Sequence, residues 1–131
     1  MKKLHLIISS VALTLVFSAC SSVFAGKQLQ VSEHLPKVEN VQIINDMTSI
    51  AFEWESKAGE SINGFYVYRG TEAEPEMKLI ATLKDKYQTH FVDSGLKPNT
   101  KYFYAIKTYN DTGYVSTSGT AIEARTSERI A

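Results

Sequence analysis

Cysteine is nearly absent: the 131 residues contain one, Cys20. A lone thiol cannot form an internal disulfide framework or a cysteine-based metal site. An excess of charge of one sign is also missing, with 14 Lys and Arg against 14 Asp and Glu. Without the first 19 residues, which hold Lys2 and Lys3, 12 basic residues face 14 acidic ones. So near-neutral a chain has neither the basic stripe of a nucleic-acid binder nor an acidic tail. Long apolar runs are confined to the N-terminus, and helical periodicity, internal repeats and low-complexity tracts are lacking. What remains is ordinary globular composition, rich enough in Val, Ile, Leu and aromatics to form one domain with a real core.

Met1-Lys2-Lys3 is a positively charged start, and Leu4 to Phe17 is an apolar stretch of 14 residues. That length is short for a bilayer span and has the flanks of an export signal, so residues 1–19 stand outside fold reasoning. Phe17-Ser18-Ala19-Cys20 resembles the lipobox of bacterial lipoproteins. The resemblance implies cleavage before Cys20, acylation of its thiol and a membrane lipid anchor. Ser21 after the cysteine then implies outer-membrane sorting in a Gram-negative cell. Val23-Phe24-Ala25 before Gly26 supports a second reading, ordinary signal cleavage and a periplasmic or secreted product. Residues 20–35 read as the lipidated cysteine and a polar spacer, 36–127 as the domain and 128–131 as a tail.

From Pro36 the pattern is that of strands. Ile50, Phe52 and Trp54 alternate with Ala51, Glu53 and Glu55, which predicts a half-buried strand. Ile62–Arg69, Met77–Leu83, Thr89–Val92, Tyr102–Tyr109 and Val115–Thr126 follow, separated by turn signals. With Val41–Ile43 this makes about seven short strands. The connections are too short for crossovers, which predicts an all-β, antiparallel, immunoglobulin-like sandwich.

Leu96-Lys97-Pro98-Asn99-Thr100-Lys101-Tyr102 matches a Leu-x-Pro-x-Thr-x-Tyr signature, continued by Tyr104, Ile106, Thr108, Asn110, Gly113 and Ser116. With Trp54, the Gly64-Phe65-Tyr66-Val67-Tyr68-Arg69 strand and Ile122-x-Ala124-x-Thr126, residues 36–126 resemble a fibronectin type III domain. The resemblance implies structural roles for Trp54, Leu96, Pro98 and Tyr102. Trp54 would plug the core over Tyr104 and Ile106, and Tyr102 would form a tyrosine corner near Leu96. Leu79-Ile80-Ala81-Thr82 and Thr89-His90-Phe91-Val92-Asp93 are also similar to fibronectin-like surface lipoproteins of Gram-negative bacteria, some of them adhesins.

No constellation of catalytic residues emerges, and no cofactor, metal, nucleic acid or small-molecule substrate is expected. His90, Asp93 and Ser94 lie on one short strand without triad geometry, and Asp93 reads as a turn residue. Glu72, Glu74 and Glu76 lack the order of a calcium loop. Glu53 and Glu55 share an outward face with no cleft to act in. The remaining signal is aromatic. With Phe65, Val67, Tyr102 and Tyr104 in the core, Tyr66, Tyr68, Phe103 and Tyr109 fall on the opposite face of neighbouring strands. These four form the candidate binding face for a protein or an envelope component. The alternative is a carbohydrate-binding surface.

Overall fold

The computed structural model describes residues 29–55, 61–117 and 121–128. Cys20 and both cleavage sites lie outside the described residues. The described elements are all strands: β1 (Gln30–Ser32), β2 (Glu39–Asn45), β3 (Ile50–Glu55), β4 (Gly64–Thr71), β5 (Lys78–Leu83), β6 (His90–Asp93), β7 (Lys101–Tyr109), β8 (Tyr114–Ser116) and β9 (Ile122–Arg125). They form two sheets. One has the order β2-β3-β6; the other has the order β1-β8-β7-β4-β5, with β9 also paired to β7.

Side-chain alternation explains why the sheets face each other. Ile50, Phe52 and Trp54 are buried on β3, while Glu53 and Glu55 are exposed. On β7, Tyr102, Tyr104, Ile106 and Thr108 are buried. The two inner faces close over Phe65 and Val67 of β4, with Leu96 sealing one end. Transfer of these groups from water supplies most of the driving force, at about 1.5–3 kcal/mol for each large apolar side chain. Edge-on aromatic contacts link the sheets: Phe52 to Tyr104 at 4.6 Å and Trp54 to Phe65 at 5.4 Å. Trp54 is thus a core plug, and its ring partner is Phe65, with Phe52 packed on Tyr104 instead.

The tyrosine corner is formed. Tyr102 is buried, and the Lys97 N–H donates to its Oη at 3.0 Å. Pro98 presets the preceding turn, and its carbonyl accepts from Thr100 Oγ1 at 2.8 Å. Gly95 (φ 72°) and Gly113 (φ 94°) occupy the left-handed region, which costs a side-chain-free residue little.

The N-terminus departs from expectation. Residues read as spacer contain β1, which pairs with β8 in parallel, Gln30 opposite Tyr114. The sandwich is therefore not purely antiparallel. Leu35 is buried, and the Pro36 carbonyl accepts from Thr108 Oγ1 at 2.7 Å. These contacts draw the chain onto the fold from Gln30 onward. The final strand is entered as two segments, β8 and β9, both paired with β7.

Candidate functional site

The aromatic face lies on the outside of the larger sheet. β4 and β7 are antiparallel neighbours, with Gly64 opposite Tyr109, Tyr66 opposite Lys107, Tyr68 opposite Ala105 and Gly70 opposite Phe103. All four candidate aromatics therefore share one side, as parity requires. Tyr66, Tyr68 and Phe103 are half-buried. Tyr109 is only 8% exposed, although its face is the outer one. Its ring stacks on Tyr66 at 4.3 Å with an interplanar angle of 14°. It also lies over Gly64, where a Cβ would come within 2.9 Å of the tyrosine ring and hydroxyl. Tyr109 thus supports Tyr66 from behind, leaving Tyr66, Tyr68 and Phe103 as the accessible rings.

Tyr68 is set edge-on to Tyr66 at 6.3 Å, and the Lys107 ammonium sits 5.3 Å from its ring centroid. Desolvation, then the neighbouring Tyr66, pushes the Tyr68 hydroxyl above its ordinary pKa. Burial does the same to Tyr109, followed by Tyr66 and Asp111. Both phenols therefore stay protonated to higher pH than a free tyrosine, and their rings serve as packing groups. Beside Phe103, Lys101 bridges Glu72 at 3.2 Å and Glu123 at 3.1 Å, giving the aromatic patch a charged rim.

Sequence reasoning missed the polar centre of the fold. Asp93 is 7% exposed and faces inward. The Arg69 guanidinium donates to both of its carboxylate oxygens, at 3.0 and 2.8 Å, and Tyr104 Oη donates to Oδ2 at 2.7 Å. Arg69 and Tyr104 belong to the larger sheet and Asp93 to the smaller, so this cluster ties the two together. Desolvation, the bond to Asp93 and its charge drive the Tyr104 hydroxyl far above its ordinary range. Arg69 also lies 5.8 Å from the Tyr102 ring centroid. The parity of Arg69 with Phe65 and Val67 was the available signal, since an arginine in the inward phase of a strand needs a buried acid.

Asp93 is thereby committed to Arg69, while His90 points to the outer side of β6 opposite Glu53. The acidic loop is engaged as well, Glu74 with Lys78 at 3.4 Å and Glu72 with Lys101. Glu55 accepts from Asn40 Nδ2 at 2.8 Å. Among the described residues no three His, Cys, Asp or Glu side chains converge as a metal site. A polar cleft of about 360 Å³ is lined by Thr71, Lys97, Thr100, Lys101, Tyr102 and Arg125. Two of its cations are occupied, Lys101 by the carboxylates above and Arg125 by the Asn99 carbonyl at 3.2 Å.

Two facing sheets, a tryptophan plug and a tyrosine corner define the immunoglobulin-like β-sandwich class. The chain belongs to the fibronectin type III domain family, whose model matches residues 36–124. Solved structures agree at the level of fold. A human contactin 1 fn3 domain superposes with a TM-score of 0.64 at 15% identity, covering 85% of this chain and 93% of that one. The chicken CNTN1 FN1–FN3 domains give 0.63 at 16% identity over 71% of this chain, which spans only 31% of theirs. A β-1,2-glucanase from Parabacteroides distasonis gives 0.57 at 17% identity, covering 71% of this chain and 14% of the enzyme. The comparison with curated proteins returns no match.

Proposed function

We propose that this chain is a non-catalytic cell-envelope lipoprotein, anchored through Cys20 in the outer membrane. Its fibronectin type III domain binds a protein or envelope component on the outer face of the larger sheet. The observation that carries the reading is the preset aromatic patch. Tyr66, Tyr68 and Phe103 share one face, with Tyr66 backed by a stacked Tyr109 and Tyr68 by Lys107. Rings held in place before contact lose little rotamer freedom on binding, and aromatics supply large contact area per residue. The exposed Leu79, opposite Tyr68 on β5, extends the patch.

The same geometry favours a protein over a sugar. A carbohydrate platform presents flat, coplanar rings, whereas Tyr66 and Tyr68 stand at 73° and one face of Tyr66 is taken by Tyr109. The mature protein, isolated with its cross-linked partners from its own envelope, tests the reading. Tyr66→Ala, Tyr68→Ala and Phe103→Ala should together abolish partner capture while leaving the folded domain intact. Capture that survives all three places the contact elsewhere. Metabolic labelling with a fatty-acid analogue tests the anchor. Label retained in Cys20→Ala, or a mature N-terminus at Gly26, argues for the soluble periplasmic or secreted form instead.

A further inference from the structure

The smaller sheet has an outer face of its own, and its three strands carry no Lys or Arg. Ile44, Ala51 and Val92 lie directly opposite one another across β2, β3 and β6. Ile44 is 74% exposed and Val92 54%, so an apolar row crosses this face in contact with water. Three apolar side chains in register form a patch, unlike singles scattered over a surface. Two residues along the strands lies the row of Gln42, Glu53 and His90, and Glu39 faces Glu55 beyond it. Lys37 and Lys86 belong to the loops before β2 and β6, past the Glu39–Glu55 pair.

The larger sheet is the complement. Its strands hold Arg69, Lys78, Lys101, Lys107 and Arg125 against Glu123 alone. Arg69 turns inward to Asp93, Lys78 meets Glu74, and Lys101 is taken by Glu123 and by Glu72 from the adjacent loop. Lys107 differs: among the described residues it forms no ion pair and lies over the Tyr68 ring. Glu53, on the opposite side of the sandwich, is likewise without an ion pair among the described residues.

The two faces also match in height. Phe52 packs on Tyr104 and Trp54 on Phe65, which sets Ala51 level with Phe103, and Glu53 and Glu55 level with Ala105 and Lys107. A second copy shifted sideways, the same way up, lays its Ile44–Ala51–Val92 row on Phe103 and Tyr68. The same shift brings its Glu53 and Glu55 to Lys107. The chain enters β1 beside Gly113, at one end of the sandwich, so copies related in this way keep their N-termini on one side.

We propose that the aromatic face binds a second copy of this chain, the larger sheet of one domain docking on the smaller sheet of the next. The inference rests on that face being a binding surface and names what it binds. Because the two docking faces differ, the contact does not close on itself, and the domains build an open stack.

The mature chain, produced without acylation and kept reduced, is followed by sedimentation equilibrium from roughly 10 μM to 1 mM, a span that covers weak association. Its mean mass should climb with concentration past that of a dimer. Added salt should weaken the association by up to about fivefold for each exposed ion pair. Ile44→Gln with Val92→Gln should hold the chain monomeric, and so should Leu79→Gln with Lys107→Gln. Mixed together, the two variants should form a 1:1 dimer and grow no further, since each keeps the face that the other lacks. A parent chain that stays monomeric throughout overturns the proposal. So does a closed dimer, or a mixture that fails to associate although both variants keep the circular dichroism of the parent. Capture of a different envelope protein by Tyr66, Tyr68 and Phe103 is read in its own experiment, so the two readings fail separately.

Discussion

Asp93 holds three hydrogen bonds across the sheet interface, and its value follows from what its removal strands. Asp93→Ala leaves the Arg69 guanidinium and the Tyr104 hydroxyl without their acceptor. Breaking a fully buried pair costs about 3–5 kcal/mol, and water reaching the one-third exposed Arg69 reduces this to about 2–4. Equilibrium denaturation checks it, and Arg69→Met combined with Asp93→Leu should recover much of the loss by restoring an apolar interface. Trp54→Ala should cost about 3–5 kcal/mol in the same measurement, as for other buried large aromatics. Trp54 and Tyr102 were legible because each sits in the phase of an apolar alternation or in a spaced signature. Asp93 was not, because at the end of a four-residue strand an acid looks the same whether it caps a turn or fills a core. Tyr109 was half legible: parity gave its side, and only the ring stack on Tyr66 with the bare Gly64 beneath explains its burial.

Pairing between elements carries further expectations. Gly64 opens β4 where a side chain has no room, its Cβ position meeting the Leu83 carbonyl oxygen and the Tyr109 ring. Gly64→Ala should therefore destabilise by about 1–3 kcal/mol, the usual cost of overpacking, and should displace Tyr109 from Tyr66. Loss of the Tyr66–Tyr109 contacts in the aromatic region of a proton spectrum would report that shift. β1 is equally testable. A chain that starts at Lys37 loses the buried Leu35 and the Pro36 acceptor of Thr108. It should be less stable than one starting at Leu29 by about 2–4 kcal/mol, the sum of a buried apolar side chain and an orphaned hydroxyl. The seven core strands were readable from period-two alternation and turn residues. β1 was not, because Gln30-Val31-Ser32 is too short to show a period and its partner β8 is distant in sequence.

For the molecule as a whole, the tyrosines set an alkaline limit. The hydroxyls of Tyr68, Tyr104 and Tyr109 all have folded pKa values above the ordinary 10.0, with burial the largest cause in each. A raised folded pKa means the unfolded chain ionises first, so the folded state binds more protons wherever pH exceeds 10. Stability from these groups is complete below pH 10 and falls as pH rises through the folded values. Tyr104 is shifted furthest, and each phenol that ionises only on unfolding lowers stability by about 1.4 kcal/mol per pH unit above that point. Urea denaturation midpoints measured from pH 8 upward should stay level to about pH 10 and then decline. Tyr104→Phe should begin lower, having lost its bond to Asp93, but decline less steeply, because one of the three phenols is gone. Tyrosinate absorbance followed in the folded protein should show Tyr104 silent until unfolding begins. A variant whose decline matched the parent would mean that Tyr104 ionises equally in both states, which its seat against the Asp93 carboxylate forbids.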